Sequence, residues 1–347
     1  MALTLRIDGE RWRSHLRAVA DAQPGLVPVA KGNGYGFGRP ALARRTQWLG
    51  SDTIAVGTYT EVPSVASRYD GDILVMSPWR PFLPEVRDGS AYNPRIIHTV
   101  GRVEDIEALA SSQPGARVVV EGMTSMERHG LDRHSLSEAA KALGRLQLDG
   151  FSLHLPMAGD NLAEAEQWIA AVQASQLDTG TVFVSHLKDS ELATLRERRP
   201  NISVRPRIGT DLWLGDRRAL RVRSSVLDVH EVSRGERVGY RQRAMPRDGS
   251  LVVVSGGTAH GIGLEAPTSA VSVRQRATSF AKGGLEAAGL ALSPFTVAGK
   301  QRWFAEPPHM QASMLLLPSS VTPPQVGDDV SVDVRFTITT FDRIELD

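Results

Sequence analysis

The sequence contains no cysteine, which excludes disulfides, thiolate metal sites and a cysteine nucleophile. It has almost no net charge: 40 basic and 39 acidic side chains leave +1, so nothing electrostatic calls for nucleic acid or a membrane surface. It has no apolar run long enough to span a bilayer. The opening stretch, MALTLRIDGERWRSHLRAVADAQ, is charged throughout and carries no apolar signal-peptide core, so a cytoplasmic protein is expected. Lysine is scarce as well. Of the 40 basic residues only Lys31, Lys141, Lys188, Lys282 and Lys300 are lysines. Against that background a lysine closing an apolar strand is notable. A desolvated lysine amine can lose its proton and attack a carbonyl, which an arginine cannot do.

What is present is alternation. Over the first 210 residues, short apolar runs at 26–31, 53–58, 72–77, 95–100, 117–122, 149–155, 181–186 and 203–209 are separated by helical stretches. Their near-continuous Val/Ile/Leu content suits parallel strands covered on both faces. In 161–175, NLAEAEQWIAAVQAS, Asn161 is placed to cap, Glu164 follows three residues on, and Leu162, Ala165, Ile169 and Val172 share a face. Eight strand–helix repeats predict an α/β fold, a (β/α)8 TIM-like barrel, with a doubly wound open sheet as the structural alternative. After about residue 228 the pattern becomes strands at 231–254, 268–280, 293–304, 312–317 and 329–340, with one weak helix at 282–291. The expected organisation is a barrel over 1–228 and a mostly β carboxy-terminal domain over 229–347.

In a barrel, chemistry gathers where strands end. Those ends carry Lys31, Glu121, His154, Ser185 with His186, and Arg207 with Gly209 and Thr210. An amine, imidazoles, a hydroxyl and a glycine turn on one face suit an anionic ligand bearing a carbonyl. The Gly209–Thr210 turn after the last strand is also where barrels commonly bind phosphate through backbone amides.

The run VAKGNGYGFG at 29–38 resembles the cofactor-lysine motif of the alanine racemases, barrel-type enzymes dependent on pyridoxal 5'-phosphate (PLP). RIGTDLWLG at 207–215 resembles the arginine–x–glycine segment that ends the last strand in that family. His154 in FSLHLP and Arg128 in SMERHG fall where the family has a histidine and an arginine. The resemblance implies PLP as cofactor, Lys31 as Schiff-base lysine and proton-transfer base, and an amino acid as substrate. It implies that Tyr35, Ser185 and the amides of Gly209 and Thr210 hold the phosphate. Arg207 would face the pyridine nitrogen, with His154 in the same network. Arg128 would bind the substrate carboxylate or the cofactor edge, helped by the backbone near Met310. It further implies a homodimer with the site shared between subunits, and no metal.

The resemblance breaks at the second base. The family's tyrosine, in a Gly-Tyr-Ala-Asp-Gly segment, meets Gly257-Thr258-Ala259-His260-Gly261 here. A threonine hydroxyl is a poor acid–base group, which leaves His260 as the catalytic candidate. Met310-Gln311 stands for a Met-Asp pair, and Glu121 for a lysine supporting Arg128. The same segment resembles that of barrel-type PLP decarboxylases, with Ala259 and His260 replacing a cysteine and an aspartate. A zinc-assisted lyase would have only His260 and His309 to draw on. The expectation is a racemase-like isomerase with an altered second base. The alternatives are a PLP-binding protein without racemase activity, or a PLP-dependent decarboxylase or lyase.

Overall fold

A computed structural model describes residues 2–177, 179–264 and 291–347. The chain divides into two compact units, one of residues 13–215 and one of residues 1–12 with 216–347.

The first unit is the barrel. After β1 (Leu3–Ile7) come β2 (Val27–Pro28), β3 (Thr53–Val56), β4 (Asp72–Pro78), β5 (Ile96–Val100), β6 (Arg117–Gly122), β7 (Gln147–His154), β8 (Thr181–Ser185) and β9 (Ser203–Ile208). Strands β2 to β9 form one eight-stranded sheet in which β3 to β9 follow sequence order and β2 lies beside β9. The pairings are parallel throughout. A bridge between Val29 and Ala55, with the Ala30 amide donating to the Ala55 carbonyl at 2.8 Å, joins β2 to β3 and closes the ring. Closure rules out the open-sheet alternative.

The interior below the strand ends is apolar. Val27, Val29, Ala55, Leu74, Ile97, Val119 and Phe183 form one buried cluster. At the opposite, amino-terminal ends, Arg117 of β6 bridges Asp72 of β4 at 2.6 and 2.7 Å and Asp149 of β7 at 2.6 and 3.0 Å. A half-buried bidentate clamp of this kind ties strand starts together, leaving the carboxyl ends for chemistry. The helix expected at 161–175 spans Asn161–Ala174, but Asp160 caps it, accepting from the Ala163 amide at 3.2 Å. Asn161 instead donates to the carbonyls of Pro156 and His186, tying together the loops that follow β7 and β8.

The second unit is antiparallel for the most part. Its strands are β1, β10 (Leu220–Val232), β11 (Arg237–Val238), β12 (Arg243–Ala244), β13 (Gly249–Ser255), β14 (Leu292–Val297), β15 (Lys300–Phe304), β16 (Ala312–Pro318), β17 (Asp329–Val332) and β18 (Arg343–Leu346). The domain boundary differs from the expected residue 228. β1 pairs antiparallel with the first half of β10 and parallel with β18, so the first dozen residues and residues 216–228 belong to the β unit. The single strand expected over 231–254 is the end of β10 and all of β13, separated by the small β11–β12 hairpin. The strand expected over 329–340 stops at Val332. The expected strand at 268–280, and the expected helix at 282–291 except its last residue, lie outside the described residues.

Candidate active site at the strand ends

Lys31 follows β2, and the loop after it is wound tightly by glycine. Gly32, Gly34, Gly36 and Gly38 all have positive φ, as does Tyr35 at 54°. Gly34 is fixed by space as well as by its φ of +66°. A Cβ there would meet the Gly38 carbonyl carbon and the Arg39 amide nitrogen at 2.5 Å, both of them backbone atoms that cannot swing away. Gly34→Ala is therefore expected to destabilise the barrel by about 1–3 kcal/mol, and urea unfolding of wild type and variant checks this.

Glu61, which sequence reasoning missed, anchors this loop. Its buried carboxylate accepts from the amides of Gly32 at 2.8 Å and Gly57 at 2.7 Å. Arg39 closes the arrangement, donating to the Gly32 carbonyl and to Ser64 Oγ at 3.0 Å. The only sequence signal was an acidic residue one turn past the second barrel strand, and local pattern could not tie it to a loop 29 residues away.

Lys31 as a whole residue is open to solvent, yet its amine is crowded. Desolvation, then the positive charges of Arg128 and Arg207, hold its pKa below the usual lysine value, against an opposing pull from Glu61. That is the direction which frees an amine lone pair for attack and for proton transfer.

Tyr35 turns onto Gly209 at the end of the neighbouring strand β9. A Cβ on Gly209 would lie 2.0 Å from the Tyr35 hydroxyl, so the glycine after β9 makes room for the phenol. Burial, then Asp211 and Glu61, push the Tyr35 pKa up to about 12, which keeps it a protonated donor. Thr210 opens the short helix Thr210–Leu214 beside it, and its first amides have no partner within the helix. Trp213 of that helix donates to the Val29 carbonyl at 2.7 Å, pinning the segment to β2.

His154 ends β7, and its Nδ1 lies 3.1 Å from the Oγ of buried Ser185, which ends β8. Burial and then the charge of Arg207 drive the His154 pKa down to about 3, so the ring is neutral. His186, whose φ is 61°, meets it edge to face with ring centroids 5.3 Å apart.

Arg207 is buried in β9. It donates to Ser152 Oγ and to the Leu153 carbonyl, both at 2.9 Å, while its Nε has no partner. Glu121 stands opposite Ser152 across the β6–β7 ladder, and its Oε2 is equally unpartnered. Burial pushes the Glu121 pKa up to about 7, against the pull of Arg207 and Arg128. Buried polar atoms left without partners are uncommon, and at a strand-end site they mark where a ligand or ordered water completes the network. Arg128 is exposed on the loop after β6, and its charge is felt at Lys31, Glu121 and His154. That loop is held by Glu164, which accepts from the amide and the hydroxyl of Ser125 at 2.6 Å each.

Lys31, Tyr35, His154, Ser185, Arg207, Gly209 and Thr210 are thus all strand-end or loop residues of one barrel face. Thr258, His260 and Met310 belong to the β unit. There Thr258 and Met310 are exposed and His260 is buried. Both His260 ring nitrogens are engaged: Nδ1 accepts from the Gly257 amide at 3.2 Å, and Nε2 lies 3.1 Å from Asp342 Oδ1. This occupation leaves no ring lone pair for proton abstraction, which counts against His260 as the substitute base. Among the described residues, no three His, Asp or Glu side chains cluster as a metal site requires.

A closed parallel eight-stranded barrel with Lys31, buried Arg207 and the Gly209–Thr210 turn at its strand ends is a barrel of the (β/α)8 class. The profile of the alanine racemase N-terminal domain matches residues 7–213, and the chain belongs to that family. No curated protein matches the sequence. Among solved structures, the alanine racemase of Clostridium difficile 630 superposes with a TM-score of 0.72 at 16% identity, covering 100% of this chain and 96% of that one. The alanine racemase of E. faecalis gives 0.70 at 18% identity, covering 99% of this chain and 98% of that one. The Bartonella henselae enzyme, with covalently bound pyridoxal phosphate, gives 0.69 at 19%, covering 96% and 91%. At such identities the likeness establishes the fold.

Proposed function

We propose that the protein is a PLP-dependent isomerase of amino acids, racemase-like, with Lys31 as the cofactor lysine and an altered second base. The observation that carries this is the desolvated Lys31 amine, set on the same barrel face as buried Arg207, whose Nε lacks a partner. The residues present fit PLP. Tyr35, Ser185 and the amides of Gly209 and Thr210 would hold its phosphate, and Lys31 its aldehyde carbon. Arg207, with His154 in the same network, would face the ring nitrogen. When bound, the cofactor supplies the electron sink that acidifies the Cα–H of an amino acid.

The chain's own residues do the rest. Arg207 has only donors and cannot be deprotonated, so it disfavours protonation of the ring nitrogen and moderates that sink. Neutral His154 holds Ser185 in place. Arg128 attracts the substrate carboxylate at the open mouth, helped by the backbone near Met310. Lys31 takes and returns the α-proton on its own face. The same reading makes the protein a cytoplasmic homodimer in which the β domain of one copy completes the site of the other.

The test uses purified, PLP-loaded protein with single enantiomers of amino acids in deuterated water. α-Deuterium accompanied by inversion is the expected result. Loss of carboxylate would indicate a decarboxylase. A bound chromophore without exchange would replace the reading with the second one, a PLP-binding protein without turnover. Thr258 in the place of the family's tyrosine is the feature that favours that second reading.

A further inference from the structure

We infer that the proton-transfer group missing at Thr258 is regained on the neighbouring segment by His309, with buried Glu306 as its positioning carboxylate. This rests on the isomerase reading above, in which the β domain supplies the second face of the reaction.

The two segments are bonded side by side. The Thr258 amide donates to the His309 carbonyl at 2.8 Å and the Ala259 amide to the Met310 carbonyl at 2.9 Å. Gly257 is what allows this approach, since a Cβ there would lie 2.1 Å from the His309 carbonyl oxygen. Thr258, His309 and Met310 line one cleft of about 630 Å³ together with Tyr240, Arg241 and Glu306. His309 is therefore beside Thr258 in space although it lies 51 positions further along the chain.

His309 is also equipped for the task. Its Nε2 is 2.5 Å from Glu306 Oε1. Glu306 is only 2% exposed and is fixed in turn by the Tyr240 amide at 3.2 Å. Gly239 is shaped around that carboxylate: its φ is +73°, and a Cβ there would lie 2.1 Å from the Glu306 carboxyl carbon. A buried carboxylate on one ring nitrogen fixes the tautomer, orients the ring and stabilises the imidazolium that forms when the other nitrogen takes a proton. Among the described residues Nδ1 of His309 has no hydrogen-bond partner, and the exposed Tyr240 ring packs against the imidazole at 4.6 Å between centroids. His260 differs on both counts, with both nitrogens engaged in its own turn.

The proton count closes. In one direction the Cα–H bond breaks with its proton passing to the Lys31 amine, and a Cα–H bond forms on the opposite face with a proton from the His309 imidazolium. The return direction exchanges the two roles, and both groups regain their starting states through water.

The first test needs no cofactor. Diethyl pyrocarbonate labelling of the full chain, mapped by mass spectrometry, should modify His309 at least tenfold faster than His260. Glu306→Gln should change the labelling rate at His309 alone, because the carboxylate both orients that ring and biases its protonation. Slow labelling of His309, or no response to Glu306→Gln, overturns the assignment. The second test follows α-exchange and inversion separately in deuterated water on the loaded protein. His309→Gln should cut inversion by about 10²–10⁴-fold while changing exchange from the Lys31 face less than threefold. Glu306→Gln should lower the inversion-to-exchange ratio at least tenfold with KM unchanged. Equal inversion by wild type and His309→Gln overturns the role of His309 and leaves the isomerase reading standing, whereas exchange without inversion in wild type overturns both and leaves only proton transfer at the Lys31 face. No exchange with any enantiomer removes the isomerase reading and this inference together.

Discussion

Lys31→Ala should leave a protein that neither reduces onto a pyridoxyl group at this position nor exchanges any α-proton, a loss of at least about 10³-fold in turnover. The size of the effect follows from one amine serving twice, as covalent anchor and as proton carrier. Lys31→Arg should fail as completely. A guanidinium keeps the charge at nearly the same place but stays protonated and forms no imine. Comparing the two variants separates charge from chemistry. Borohydride reduction of wild type followed by peptide mapping should place the adduct in the tryptic peptide containing Lys31. Lys141, in the helix Leu136–Ala142, and Lys300, in β15, stand away from the strand ends, and exposed Lys188, at the start of the helix after β8, serves with them as an internal control. An adduct on any of them, or full exchange in Lys31→Ala, would show that the cofactor lysine had been misassigned.

The barrel was readable from sequence because its signal is local. Each strand is a run of apolar residues that needs covering on both faces, and each expected run contains an observed strand or overlaps most of one. The glycine loop was readable for the same reason: VAKGNGYGFG puts the lysine, the tyrosine and the positive-φ residues within ten positions. The domain boundary was not local. LTLRI is a plausible strand anywhere, and what assigns it to the β unit is pairing with residues more than 200 positions away. Asn161 illustrates a finer failure. Its type suits a cap, but it is the first helical residue and Asp160, one position earlier, takes the cap, which leaves the Asn161 amide to bind two loop carbonyls.

The second-base side was legible only as a defect. Thr258 could be recognised as unsuited to the chemistry, and proximity in sequence then drew attention to His260, two residues on. Position along a chain does not say where a ring nitrogen points or what already occupies it. The structure gives His260 a backbone amide and Asp342. It brings His309 beside Thr258 through a backbone pairing that no local pattern announces. Glu61 and Glu306 share this property. Each is a buried carboxylate holding backbone amides, a role that depends on burial and is invisible in residue type alone.

Acid should destabilise the barrel below about pH 6.5 through its buried histidines, and His98 should account for a measurable part. His98 sits inside β5, 1% exposed, with Nδ1 at 2.8 Å from the Tyr59 hydroxyl and Nε2 without a partner. Burial alone pushes its pKa down to about 4. The unfolded ring takes a proton near pH 6.5, so between that value and about 4 the unfolded state binds more protons and stability falls as pH falls. At pH 5 the cost is about 2 kcal/mol for this ring, at 1.36 kcal/mol for each unit below pH 6.5. His129 adds in the same direction, its pKa pushed down to about 4 by burial and then by Arg128. Glu121 acts oppositely. With its folded pKa raised to about 7, it favours the folded state at low pH and loses that contribution as pH rises from about 4.5 through 7. The net profile therefore mixes two signs, and a variant is needed to isolate one. His98→Leu keeps an apolar volume and removes the proton site. Its stability difference between pH 7.5 and pH 5 should be smaller than that of wild type by about 2 kcal/mol, read from hydrogen exchange at barrel amides so that the β unit does not contribute. Identical pH dependence in the two proteins would mean that His98 is charged or solvated in the folded barrel, contrary to its burial.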